Sequence, residues 1–452
     1  RPMSTPLNIT FINAGAGSGK TYRLTELLYE SLYEGSARPE RVIATTFTRK
    51  AAAELRERAR GKLMERGAWL LSQQIGAARI GTVNSVCGDL LQRFAFEVGV
   101  STDLRVLDEN QSAAMFRKAL DSVLELPTRQ SLNAQAIRLG IQDRFGNVVW
   151  EECVLKVVEQ ARANAIAPSA LPTMADENAR DLLGHFGKPL KQDPTVALAK
   201  ELEAAIPQLR AAPVNKKTNK RPEATEEYLA LCEQSGKDLR TGTLPWSAWV
   251  KLAKGNVGAQ SRDHIASLCL AAGKYLQHPG FHQDIRDFLR LVFKVAAGAM
   301  EVYAGQKRDM GLIDFIDQEQ LLLGALELEP VAAALAGDLD LLLVDEFQDT
   351  SPIQLAIFLK LAALAKKTSW VGGPKQSLYG LRGSDPELMH QVRKLVSSKE
   401  ILGDSWRATP SLVALNNTVF EKAFHDQYPV DEIVLNARRP EPVGNHPALL
   451  HW

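Results

Sequence analysis

Leu7-Asn8-Ile9-Thr10-Phe11-Ile12-Asn13-Ala14-Gly15-Ala16-Gly17-Ser18-Gly19-Lys20-Thr21 is an apolar run that breaks into glycines and ends on a lysine and a hydroxyl. A helical pattern follows from Lys20 to about Tyr33. Strand, glycine-rich turn and helix is the context that a phosphate-binding loop requires. Glycines let backbone N–H groups converge on phosphate oxygens, and the helix N-terminus adds partial positive charge. Ala14, Gly15, Ala16, Gly17, Ser18, Gly19, Lys20 and Thr21 are therefore expected to bind a nucleoside triphosphate. Lys20 would reach the β- and γ-phosphates, and the Thr21 hydroxyl would meet Mg2+. The strict pattern opens with Gly where this chain has Ala14. An ordinary glycine-rich turn is the alternative, and Gly19-Lys20-Thr21 between a strand and a helix argues against it.

Working outward, Arg41–Thr46 reads as a second buried strand, followed by a long helix through Arg66. Strand–helix–strand–helix order implies an α/β fold with a parallel sheet. The same texture returns at Leu339–Val344 and at Ser369–Gly372. Leu341-Leu342-Leu343-Val344-Asp345-Glu346 is a buried strand that ends on two acids. Ligands of such sheets sit at the carboxyl ends of strands. Asp345 is expected to hold Mg2+ and Glu346 to orient and deprotonate an attacking water. Two acids after a strand can also be helix caps. Together with the upstream loop they specify hydrolysis of a nucleoside triphosphate, but not the work it drives.

From about Ser101 to Gly311 the texture is Ala-, Leu- and Glu-rich at helical spacing, with breaks at Ala165–Met174 and Ala211–Pro222. This stretch is expected to be a helical insertion in the α/β domain. Its basic run Asn215–Arg221 reads as a solvated loop before a phosphate contact. With 45% apolar residues among 452, the chain can bury more than one core. A net charge of +1 confines any nucleic-acid surface to a local patch. Cys87, Cys153, Cys232 and Cys269 have no paired spacing, which argues against a zinc ribbon or a disulfide framework and suits the cytoplasm. No uninterrupted apolar run of about 18 residues is seen, so no membrane partner is expected. Arg1 and Pro2 precede Met3, the expected native start.

The words around these motifs resemble those of UvrD/Rep/RecB-like superfamily 1 DNA helicases. Asp345-Glu346-Phe347-Gln348-Asp349-Thr350-Ser351 resembles their Walker B segment. Val371 to Asp385 resembles motif III, Thr45 to Leu55 motif Ia, Gly81 to Cys87 motif Ib, and Asp404-Ser405-Trp406-Arg407 motif IV. Gly311-Leu312-Ile313-Asp314-Phe315 resembles the segment that leads out of the family's helical insertion. The insertion is closer in length to the RecB/AddA type than to the compact Rep type.

The resemblance implies roles. Gln376 would sense the γ-phosphate, Arg407 would be an arginine finger from a second RecA-like domain, and Trp406 would stack on adenine. Phe47, Thr48, Thr82, Tyr379 and Arg382 would meet a DNA strand. Asn84 stands where the family usually has His, so its DNA contact would differ. Gly373 replaces a usual Asp, Leu381 a usual Trp or Phe, and no Gln precedes Lys20 to read adenine. The implied domains are a first RecA-like domain over 1–100 and 311–400, an inserted helical domain over 101–310, and an incomplete second RecA-like domain over 401–452. The whole protein would use ATP and Mg2+ to move 3′→5′ on single-stranded DNA and separate duplex, with junction DNA and other subunits of a repair complex as further partners. The chain is expected to be an N-terminal portion of that protein, with the residues after Asp404 the least anchored. One rival is an ATP-regulated DNA-binding protein without motor activity. Intact Lys20, Asp345, Glu346, Gln376 and Arg407 argue against it. The other is a nucleotide kinase, which leaves motifs Ia, III and IV unexplained.

Overall fold

Buried parallel strands carry apolar side chains on both faces, because helices cover both sides of such a sheet. The computed structural model, which describes residues 7–101, 105–212, 222–373, 391–394 and 396–440, follows that logic. Among the described residues, six strands run parallel in the order β3-β2-β6-β7-β1-β8. They are β1 (Leu7–Ala14), β2 (Val42–Thr46), β3 (Arg79–Thr82), β6 (Leu341–Val344), β7 (Lys367–Gly372) and β8 (Val396–Leu402). Two-residue strands β4 (Arg105–Val106) and β5 (Leu312–Ile313) pair with each other, as do β9 (Asp404–Ser405) and β10 (Asn436–Ala437).

Period-2 alternation sorts the strand residues between two cores. Ile9, Phe11, Ile43, Leu342, Val344 and Trp370 pack with the helices Val83–Arg93, Phe315–Ala325 and Pro352–Leu364. Ile12, Ala14, Val42, Ala44, Leu341, Leu343 and Val371 pack on the opposite face with Lys20–Tyr33 and Arg49–Glu65. Helix Arg49–Glu65 presents Ala52, Leu55, Ala59 and Leu63 to the sheet, a 3.6-period stripe in an otherwise charged sequence. Phe347 stacks on Trp370 at 4.4 Å between centroids and meets Phe11 edge-on at 5.9 Å, tying the end of β6 to β7 and β1.

The chain divides into two compact units, Arg1–Glu109 with Ala163–Ala165 and Gly311–Trp452, and Asn110–Arg162 with Ile166–Met310. In the first, β4 and β5 stand side by side, and Leu107 N–H donates to Ile313 O at 2.8 Å. The chain thus leaves and re-enters the α/β unit at adjacent points, which lets a long insertion be accommodated without opening the sheet. The second unit is helical. Its 32-residue helix Pro279–Met310 buries Phe288, Val292, Ala296, Ala299 and Tyr303 against the helices around Phe116, Trp150, Val154 and Leu171. A separate cluster gathers Leu198, Leu202, Tyr228, Trp246, Trp249 and Leu252. Among the described residues, no single helix is long and apolar enough to cross a membrane.

Residues 404–440 bury only Ser405, Val413, Glu432 and Ile433, as the expectation of weak anchorage implies, and they meet the rest of the first unit at identifiable points. Glu432, itself buried, accepts from Asn13 Nδ2 at 3.0 Å and pairs with the buried Arg393. The Arg393 guanidinium lies over Phe11 and Tyr428, 5.3 and 5.1 Å from their centroids. Helix Pro410–Phe424 buries only Val413.

The acid Glu319 is buried behind the sheet. Glu319 accepts from Gln354 Nε2 at 2.6 Å, and Gln354 in turn forms a capping box with Ser351. Burial pushes the Glu319 carboxyl up to about 7, opposed by the Gln354 hydrogen bond and reinforced by Asp314. Between the ordinary carboxyl range and about 7, the folded chain holds a proton that the unfolded chain has released. This residue therefore makes stability fall as pH rises through that window. Glu319→Gln removes the titration. Melting experiments are expected to show the variant gaining about 1–3 kcal/mol on the parent between pH about 5 and about 8. A gap that does not change with pH would refute the protonated buried acid.

Candidate functional site

All six strands of the sheet are parallel, so every carboxyl end lies on one edge, and the site residues come from those ends. Ala14 is the last residue of β1 and is fully buried in the core beneath the loop, so the methyl that replaces the usual glycine is a packing group. Gly17 and Gly19 adopt φ of +76° and +90°, conformations that cost an L side chain about 1–2 kcal/mol. Ser18 Oγ donates to Gly15 O at 2.8 Å and folds the loop back on itself. Gly19 then starts helix Lys20–Tyr33, whose first turn carries no acid. The N–H groups of that turn and the helix dipole favour an anion.

From β6, two strands away, the acid pair reaches the same place. Lys20 Nζ and Glu346 Oε2 meet at 2.6 Å. Glu346 itself has φ +49°, a left-handed conformation rare outside glycine. Its surroundings hold it there. Its N–H donates to Asp345 Oδ1 at 2.9 Å, and its carboxylate also accepts from Gln348 Nε2 at 2.7 Å. Burial, and then the neighbouring Glu346 charge, push Asp345 up to about 6 while Lys20 opposes the rise. A cation at this carboxylate would keep it ionised. Among the described residues, the Thr21 hydroxyl and the Asp345 carboxylate are the oxygen groups that the sequence reading offers to a divalent cation. That suits Mg2+, which is commonly held by one or two protein groups together with substrate phosphates.

Gln348 was not singled out in the sequence, yet it joins two strand ends. Its amide also donates to Asp349 Oδ2 at 3.0 Å, and its carbonyl accepts from Gly373 N–H at 2.9 Å. A Cβ on Gly372 would lie 2.8 Å from that carbonyl oxygen, so glycine at the end of β7 makes the bridge possible. The bridge leads straight into the motif III-like stretch. Gln376, Tyr379 and Arg382 lie outside the described residues.

Trp406 and Arg407 come to the loop from beyond β9. Trp406 N–H donates to Gly17 O at 2.9 Å, and a Cβ on Gly17 would lie 2.5 Å from Arg407 Cβ. Trp406 is 62% exposed, so its ring face is available. On the other flank, β2 and β3 pair with Thr45 opposite Gly81 and Thr46 opposite Thr82. Phe47, Thr48, Thr82 and Asn84 therefore emerge side by side. Phe47 is half-buried. The Thr48 hydroxyl caps its helix through Ala51 N–H at 3.1 Å, and Thr82 caps the next through Ser85 N–H at 3.3 Å. Both threonines thus have a structural task besides any contact with a ligand.

A parallel sheet with a glycine loop, a lysine, and an acid pair at one edge defines a P-loop nucleotide-binding protein. Comparison narrows the class. Residues 1–397 match the UvrD/REP helicase N-terminal domain, and the chain belongs to that family. Among curated proteins it is 27% identical over 473 residues to an ATP-dependent helicase/nuclease subunit of Desulforudis audaxviator, covering 91% of this chain and 38% of that protein. It is 26% identical over 490 residues to the RecBCD enzyme subunit RecB of Escherichia coli, covering 93% of this chain and 38% of that protein. The chain thus spans little more than a third of the length of these relatives.

The close approach at Gly17 makes a test. Gly17→Ala adds a methyl where φ is positive and Arg407 leaves no room. The variant is expected to lose about 1–3 kcal/mol of stability. The Trp406 amide, bonded to Gly17 O, should lose hydrogen-exchange protection well before amides of β6. Undiminished protection at Trp406 would show that the segment does not depend on this contact.

Proposed function

We propose that this chain is the nucleotide-hydrolysing and DNA-engaging part of an ATP-dependent helicase that moves along single-stranded DNA in the cytoplasm. The observation that carries the reading is the meeting of Lys20 and Glu346 at 2.6 Å, with the backbone of Trp406 bonded to the same loop. Lys20, the loop N–H groups and the helix dipole bind and orient the triphosphate. Thr21 and Asp345 hold Mg2+, which neutralises charge on the phosphates when bound. Glu346, fixed by Gln348, accepts the proton of the attacking water. Arg407 meets charge that develops on the transferred phosphoryl group, for which a planar and permanently charged guanidinium is suited. Trp406 offers its exposed face to the adenine.

Gln348 supports the coupling of this chemistry to DNA, because it spans from Glu346 to the start of the segment that carries Gln376, Tyr379 and Arg382. Phe47, Thr48, Thr82 and Asn84 make up the DNA side, with Phe47 stacking on a base. Movement 3′→5′, duplex separation, junction DNA and other repair subunits are proposed on the family resemblance. So is the assignment of residues 401–452 to the beginning of a second RecA-like domain, with 1–100 and 311–400 as the first and 101–310 inserted. The names of the relatives, a helicase/nuclease subunit in one case and RecB in the other, point the same way.

Two variants divide the chemistry. Glu346→Gln is expected to retain nucleotide but lose nearly all hydrolysis, because an amide cannot accept the water's proton. Lys20→Ala is expected to weaken nucleotide binding itself. Nucleotide titration and phosphate release, in the protein with its full complement of domains, measure both. Normal turnover by the Glu346 variant would remove it as the base. For the DNA side, Phe47→Ala is expected to cost roughly 1–3 kcal/mol of single-strand affinity by fluorescence anisotropy. An unchanged affinity would assign Phe47 to packing alone.

A further inference from the structure

Trp406 and Arg407 hang on a short piece of chain. Strand β9 is two residues long, and within 403–408 only Ser405 is buried. Its backbone reaches the nucleotide loop through Trp406 N–H, which donates to Gly17 O at 2.9 Å. Alongside runs a second strip, Glu432 to Arg439. Asn436 and Ala437 pair with Asp404 and Ser405. Arg438 N–H donates to Ser405 O at 2.9 Å, Arg438 Nε meets Asp404 Oδ2 at 2.9 Å, and Arg439 Nη1 donates to Arg407 O at 3.0 Å. The strip therefore holds the residues on both sides of Trp406.

The strip is itself fixed to β1. Glu432, at its head, accepts from Asn13 Nδ2 at 3.0 Å and pairs with Arg393, whose guanidinium covers the Phe11 ring. Asn13 is 5% exposed, so bulk water does not compete for this bond. Three residues after Glu432, Leu435 reaches the loop: a Cβ on Gly15 would lie 2.9 Å from Leu435 Cδ1. Asn417 fixes the Leu435 backbone, accepting from its N–H at 3.0 Å and donating to its carbonyl at 2.9 Å. A buried ion pair contributes little net stability, yet any misfit in it leaves a desolvated charge. The pair at Glu432 thus sets position more than strength.

An arginine that meets developing phosphoryl charge helps only if it is held in place beforehand. A strand of two residues does not do that by itself. We propose that Asn13 and Glu432 are positioning residues for Arg407: the bond between them fixes the strip Glu432–Arg439 on the end of β1, and the strip sets Arg407 against the nucleotide loop. Asn13 immediately precedes Ala14, so the loop and the arginine are both referred to the end of one strand. This rests on the proposed role of Arg407 and adds to it two residues that belong to none of the motif-like stretches.

The test uses the protein with its full complement of domains. Nucleotide titration gives ATP affinity, and phosphate release at saturating ATP gives kcat. Asn13→Ala leaves the pair of Arg393 and Glu432 intact. It is expected to lower kcat roughly ten- to a hundredfold, the effect of a misplacement of about 1 Å, with ATP affinity close to the parent's. Arg407→Ala should lower kcat further, and Asn13→Ala should add no loss in that background, because no finger is left to misplace. Glu432→Ala acts from outside the loop and is the second variant in case Asn13→Ala disturbs the loop. It should show the same loss, and the same silence beside Arg407→Ala. Full kcat in both variants overturns the inference. Losses that multiply with that of Arg407→Ala mark a brace that is structural only and overturn it too. So does weakened ATP affinity at unchanged kcat, which would assign Asn13 to the loop. Normal kcat in Arg407→Ala would instead reject the finger on which the inference rests, a result distinct from the others.

Discussion

Lys20 and Glu346 are 326 residues apart in sequence and 2.6 Å apart in space. That contact depends on the parallel register of three strands. β1 pairs with β7 from Ile9 opposite Thr368 to Asn13 opposite Gly372, and β7 pairs with β6 from Leu341 opposite Lys367 to Val344 opposite Trp370. A slip of one residue would turn Ile9 and Phe11 toward the face that holds Ile12 and Ala14. Both faces are buried and apolar, so a slipped strand stays buried but no longer fits the side chains packed on either face. The fit of the two packed faces is therefore what holds the lysine and the acid in line. The helices on the two faces serve the site by fixing that register.

Around this contact the chain accepts unfavourable local geometry. Glu346 is left-handed, and Asp345 is buried beside it with its carboxyl raised. Such strain persists only where the surroundings over-determine it. Here the constraint comes from Lys20, Gln348 and the Asp345 carboxylate, each bonded to Glu346. The same device recurs at the neighbouring strand. Asn13, one residue before the loop, bonds to Glu432, which pairs with Arg393 between two aromatic rings. Breaking a buried pair of this kind is strongly destabilising because it strands a charge. The loop is thus braced from within by glycines and from outside by residues far downstream in the chain.

The division of roles along the sheet edge also has a simple physical origin. In a parallel sheet all strands end on one side, so the loops after β1, β2, β3, β6 and β7 compete for one surface. The loops after β1 and β6 provide the phosphate and acid groups, and those after β2 and β3 provide Phe47, Thr48, Thr82 and Asn84. Gln348 stands between, with one end on Glu346 and the other on Gly373. Glu319 and Gln354 make a second polar link, behind the sheet, from the helix after the acid pair to helix Phe315–Ala325.

Much of this was legible in the amino-acid sequence because it is written in local terms. The loop announces itself through glycines placed where φ must be positive, and β2 and β6 through short apolar runs of the kind a doubly covered sheet carries. Helix Lys20–Tyr33 falls where its pattern begins and ends. Strand β8 was not legible. Its sequence, Val-Ser-Ser-Lys-Glu-Ile-Leu, is that of an edge strand with half its ladder open to water, and its Glu400 is engaged by Arg23 at 2.7 Å. Strand β3 was missed as well, being four residues long and only partly buried. The brace at Glu432 leaves no sequence signal at all, and Gln348 stands inside the Walker B-like segment without anything there that shows its bridge to Gly373. Each joins residues through contacts whose partners are set by which strands become neighbours. Sequence alone determined the chemistry carried at each strand end, since that depends on residue type and local conformation. Tertiary structure decided which ends face one another, since strand order is a choice among long-range pairings that no local pattern encodes.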